Sequence, residues 1–171
     1  MPILNHPRPG VMNHQPPGPT CFMACVVAVK EFYLRAVLPP RGGKSPVQWM
    51  YDDFTKYHAS ATSRPREYIK LALAENYDGE QAVDNNTDEM TTFRNVLTLK
   101  ISGGKPVLCG IRRDGAAYGH LFMIFGYTLP DRLEVADPAF GILSNVPVAQ
   151  IKNGYNGNPA YHWTHLFFTK G

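Results

Sequence analysis

The sequence predicts an α+β fold, with helices packed against an antiparallel sheet that follows them in the chain. Three observations predict it. Apolar residues at helical spacing recur as far as Ile101, β-rich apolar runs with turn dipeptides between them begin at Val107, and the two kinds do not alternate as in a βαβ chain.

The elements follow in order. Residues 1–14, rich in proline, are expected to be an extended segment leading toward the first helix. From Cys21 to about Val37, Phe22, Val26, Val29 and Tyr33 recur at steps of four, three and four, with Cys25 beside them. Pro39-Pro40 and Gly42-Gly43 stop that helix. Ser45-Pro46-Val47-Gln48 starts a second, with a Ser cap, Pro at the first helical position and Gln three residues after the cap; it should run to about Tyr57. A third helix is expected from Ser63 to near Asn76, through Tyr68, Leu71 and Leu73. Thr87-Asp88-Glu89 caps a fourth carrying Phe93, Val96, Leu97 and Ile101, closed by Gly103-Gly104. Strands are then expected at Val107–Ile111, Leu121–Tyr127, Arg132–Ala136 and Tyr161–Thr169. Asp114-Gly115 supplies a hairpin turn and Leu129-Pro130-Asp131 another.

A chain of 171 residues fits one domain with a core that needs neither disulfides nor metal. It is 44% hydrophobic and 18% charged, with net charge +3 and scattered basic residues. No stripe of Lys or Arg interleaved with aromatics supports nucleic-acid binding, and no apolar run reaches the roughly 20 residues a membrane helix needs. The N-terminus lacks a signal-peptide pattern. Three cysteines, at spacings unlike a disulfide scaffold, point to action in a reducing compartment.

Thiol hydrolysis needs a nucleophilic sulfur, a base, a group that holds the base, and donors for the oxyanion. Cys21 opens the first helix after Gly18-Pro19-Thr20, where unpaired N–H groups and the positive end of the helix dipole favour a thiolate. Its own N–H is placed to donate to an oxyanion, and Gln15, six residues earlier, offers a side-chain amide as a second donor. His120 follows Gly119 at the mouth of a strongly apolar strand, where rigid neighbours fix an imidazole. Asp137-Pro138 ends the next strand, seventeen residues later. Antiparallel pairing brings the start of one strand beside the end of the other, so His120 and Asp137 should meet.

Gln15 before Cys21, Gly119-His120 leading a strand that ends in Gly126-Tyr127, and Val135-Ala136-Asp137-Pro138 followed by Phe140-Gly141 together resemble the papain-like cysteine peptidase superfamily. The branch they are most similar to includes the bacteriocin leader peptidases, which cut after double glycines, and related bacterial effector and toxin proteases. The resemblance implies a papain-like fold with Cys21 as nucleophile, His120 as base, Asp137 as its orienter and Gln15 in the oxyanion hole. Two departures stand out. Phe22 takes the place of the Trp that follows the cysteine in many papain-like enzymes, and Asp137 stands where papain has Asn.

Other residues have plainer readings. Cys25 and Cys109 read as core. His14 is a competing base near Cys21, but a Cys21/Cys25/His14 set is one ligand short of a metal site, and no metal or cofactor is expected. His162 and His165 read as packing or cleft wall on the last strand. Trp49 reads as a core or cleft anchor, and Gly119 and Trp163 as substrate-binding candidates.

The expected function is a cysteine protease acting on protein or peptide substrates, and the resemblance implies cleavage at glycine-rich sites. A delivered bacterial effector or interbacterial toxin of this kind would require a cognate inhibitor in the producing cell. The same residues would serve a cell-wall peptide amidase, a deamidase or a transglutaminase. An inactive papain-like binding module is the alternative of another class.

Overall fold

The computed structural model describes residues 20–57, 65–116 and 119–171. The first described helix, α1 (Cys21–Leu34), runs through the middle of the molecule. Its sequence, Cys-Phe-Met-Ala-Cys-Val-Val-Ala-Val, is apolar on every side, and every residue from Cys21 to Val29 is buried. A helix apolar all round is a core helix. The stripe expected from Phe22, Val26, Val29 and Tyr33 is therefore only part of its buried surface.

α1 stops at Leu34, three residues short of the expected Val37. Arg35 turns the chain in a left-handed conformation (φ 52°), and the Glu31 carboxylate accepts the Leu38 N–H at 2.8 Å. The two prolines that follow disfavour helical backbone just before them.

Around α1 lie α2 (Pro46–Tyr57) and α3 (Pro65–Leu73), the latter extended by a 3-10 turn (Ala74–Asn76). Ser45 Oγ accepts the Gln48 N–H at 3.3 Å, as its capping position predicts. The fourth expected helix is present as α4 (Glu89–Thr92), a π turn (Phe93–Leu97) and α5 (Thr98–Ser102). Asp88 is its cap, accepting the Thr91 N–H.

Among the described residues, six antiparallel strands form one sheet in the order β1-β6-β2-β3-β4-β5. They are β1 (Tyr77–Ala82), β2 (Val107–Arg113), β3 (Gly119–Thr128), β4 (Arg132–Asp137), β5 (Gly141–Pro147) and β6 (Tyr161–Thr169). A short helix, α6 (Val148–Lys152), and a 3-10 turn (Tyr155–Gly157) lie between β5 and β6. Four of the strands were expected; β1 and β5, at the two edges, were not.

Both faces of the sheet are covered, which explains the uninterrupted apolar run in β3. Leu121, Met123 and Phe125 pack with α1, whereas Phe122 and Ile124 pack with Phe93, Leu97, Ile101 and Tyr155 on the other side. This alternation is the two-residue period of a strand, and it locks the register of β3. The N-terminus of α1 is thereby set against the start of β3.

Candidate active site

Helix α1 presents Cys21 by its backbone. The Thr20 carbonyl accepts the Met23 and Ala24 N–H groups at 3.0 Å, which makes Cys21 the first helical residue. Its N–H therefore has no acceptor within the helix. Cys21 is 8% exposed and lines a cleft of about 620 Å³.

His120 is the second residue of β3 and pairs with Ile111 of β2. Gly119 before it admits no side chain, because a Cβ there would lie 2.5 Å from the Ile111 carbonyl oxygen. Close approach of the strands is the reason for glycine at this position, and it seats His120 tightly. Asp137 ends β4 and is fully buried. Its Oδ1 accepts the N–H groups of Ala139 (2.7 Å) and Phe140 (3.3 Å), a local turn that fixes the carboxylate.

The three groups meet. His120 Nε2 lies 2.9 Å from both Asp137 oxygens, which leaves Nδ1 for the sulfur. Burial alone would pull the imidazole toward neutrality. Hydrogen bonds to Asp137 and to Cys21, with the charges of both, outweigh burial and push its pKa up to about 10. An imidazolium held between a carboxylate and a sulfur is the arrangement that nucleophilic thiol chemistry uses.

A fourth side chain completes the site, and the sequence reading did not include it. Tyr155 donates its hydroxyl hydrogen to Asp137 Oδ2 at 2.6 Å. Its ring stacks on Phe122 at 4.6 Å, nearly parallel, and is 2% exposed. Burial, then the Asp137 charge, push the phenol far above its ordinary range, so it stays a neutral donor. Asp137 thus receives hydrogen bonds from Tyr155, two backbone amides and His120. The only sequence signal was an aromatic residue amid Asn and Gly in a loop between strands.

Cys25 is fully buried and donates its S–H to the Leu121 carbonyl at 3.3 Å. Burial, with the nearby Cys21 and Asp137, raises its thiol well above the usual value, and burial alone does the same to Cys109. Both are core residues, as expected. Among the described residues, no group of three or more His, Cys, Asp or Glu side chains could hold a metal ion. None of the described helices is long and apolar enough to cross a membrane.

The cleft continues from Cys21 along β6 and the 82–86 segment. Trp163 borders it but is 1% exposed, and its indole N–H donates to the Asp84 carbonyl at 2.8 Å. It braces the wall formed by residues 82–86. Gly119, His162 and His165 also line the cleft. Trp49 does not: it is half-buried on α2, donating to the Pro39 carbonyl at 3.1 Å with the Arg41 guanidinium 4.0 Å over its ring. That position corrects its reading as a core or cleft anchor, since the proline-rich turn after α1 draws it outward. Gln15 and His14 lie outside the described residues.

No family model matches the chain, and no curated protein matches its sequence. Its fold is similar to the crystal structure of the Pseudomonas avirulence protein AvrPphB, with a TM-score of 0.53 over 94% of each chain at 12% sequence identity. At that identity the likeness concerns architecture alone: helices packed on an antiparallel sheet. The chain has the papain-like α+β fold.

Proposed function

We propose that this chain is a papain-like cysteine protease that cuts peptide bonds in other proteins. The observation that carries this reading is His120, which is hydrogen-bonded to Asp137 through Nε2 and to Cys21 on its other side. In the proposed mechanism His120 and Cys21 form the thiolate–imidazolium pair. The sulfur attacks the carbonyl carbon of the scissile bond, and the oxyanion rests on the Cys21 N–H, with Gln15 as second donor. His120 then protonates the leaving amine, and water, deprotonated by the same imidazole, releases the acyl group from sulfur. Asp137 holds the ring in one tautomer and balances its charge.

Likeness to an avirulence protein supports a bacterial effector delivered into another cell, where the protease would meet protein substrates. The leader-peptidase resemblance adds a preference for small residues such as glycine before the cut. A toxin of this kind would be matched by an inhibitor protein in the producing cell.

The test is proteome-wide mapping of new N-termini after exposure to the active protein and to Cys21→Ala. A set of new termini produced only by the active form supports proteolysis. Deamidated or cross-linked glutamines without new termini would replace it with the deamidase or transglutaminase reading. Absence of any Cys21-dependent change would favour a binding module.

A further inference from the structure

The cleft beside Cys21 carries several charged groups. Among the described residues, Arg66, Arg112, His162 and His165 line it, together with one acid, Asp84. Asp84 is already engaged: its Oδ1 accepts from the Asn86 and Thr87 N–H groups and from the Thr87 hydroxyl at 2.9–3.0 Å. Arg66 is held against Glu80, which also takes Lys70 at 2.9 Å. His162 faces Asp114 at 3.4 Å. Arg112 has no ion-pair partner among the described residues, and it pairs across β2–β3 with Gly119, next to His120.

His165 sits amid these charges. Burial first, and then the charges of Arg66, Lys70 and Arg112, hold its imidazole below the ordinary value, with Glu80 acting the other way. Glu80 answers Arg66 and Lys70, and Lys70 also meets Glu67, so Arg112 is the cation at this end of the cleft left without a carboxylate among the described residues. An arginine fork without a carboxylate partner suits bidentate binding of one.

Resting on the protease reading, we propose that this end of the cleft is a subsite for an acidic residue of the substrate, an Asp or Glu side chain close to the scissile bond, with Arg112 as its principal ligand. Arg66, fixed by Glu80, and His165 form the walls. The acid would supply the counter-charge that Arg112 lacks.

The test separates binding from turnover by using the Cys21→Ala protein, which leaves peptides intact. Fluorescein-labelled octapeptides carry Asp, Asn, Lys or Ala at each position in turn, and their affinities are read by fluorescence polarisation. At one position Asp should bind about tenfold more tightly than its neutral isostere Asn. The advantage should shrink with added salt and fall below about threefold in Cys21→Ala/Arg112→Gln. Arg112 is exposed, so its replacement leaves the core untouched. Equal affinity for Asp and Asn at every position would overturn the subsite, as would a preference that survives Arg112→Gln. Labelling of Cys21 by a thiol-directed peptide probe, measured separately on the wild-type protein, tells a failed subsite from a failed protease assignment.

Discussion

Replacing Tyr155 by Phe removes a single oxygen from the interior and asks what the phenol does for Asp137. The hydroxyl donates to a buried carboxylate at 2.6 Å, and the ring keeps its stacking on Phe122 when the oxygen goes. A hydrogen bond to a charged group contributes about 1.5–3 kcal/mol. Oδ1 retains two backbone donors, but among the described residues Oδ2 is left with His120 alone. In a domain of this size each kcal/mol shifts Tm by about 2–4 °C, so Tyr155→Phe should melt roughly 3–12 °C lower. If half the bond energy serves to orient Asp137 during reaction, kcat falls by about 4- to 13-fold while KM hardly moves. Thermal unfolding and steady-state turnover of a substrate found by N-terminus mapping give the two numbers. A variant with wild-type Tm and kcat would refute the idea that Tyr155 holds the carboxylate. A drop in Tm without a drop in kcat would confine its role to folding.

Three further predictions rest on the same geometry. His120 has a folded-state pKa of about 10, above the ordinary 6.5, so its contribution to stability is fully present below pH 6.5 and is lost as pH rises through about 10. The unfolding free-energy difference between wild type and His120→Ala should therefore narrow from pH 6 to pH 10, and a difference constant with pH would contradict the pairing. Gly119→Ala places a methyl 2.5 Å from the Ile111 carbonyl oxygen, so β3 must shift; stability should fall by about 1–3 kcal/mol in denaturant titration, with a large loss of turnover as His120 moves. Trp163→Phe deletes the donor to the Asp84 carbonyl, and KM should rise more than kcat falls as the 82–86 wall loosens.

The helices, four strands and the meeting of Cys21, His120 and Asp137 were legible because each rests on a local signal. Ser45-Pro46 caps a helix, Asp114-Gly115 turns a hairpin, and the Gly119–Thr128 strand is a run of β-rich apolar residues. β1 was not legible, since Tyr-Asp-Gly-Glu-Gln-Ala has no apolar alternation; it is an edge strand ordered by backbone pairing with β6. β5, with Ser144 and Asn145 exposed at the other edge, has the same character. Tyr155 escaped notice because its role comes from a stacking partner 33 residues away on β3 and an acid on β4, neither of which leaves a trace in its Gly- and Asn-rich neighbourhood. Arg112 carries no signal of its own just before the Asp114-Gly115 turn; only the strand pairing puts it beside Gly119.

The central claim is that the Cys21 sulfur is activated by His120. Its most direct test is the rate of iodoacetamide modification at each cysteine at pH 7, resolved by peptide mapping, in wild type and in His120→Ala. Cys21 should react fastest in the wild type and slow by about tenfold or more in His120→Ala, with Cys25 and Cys109 unmodified in both while the protein stays folded. Equal rates at Cys21 in the two proteins, or modification of Cys25 as fast as of Cys21, would contradict the account.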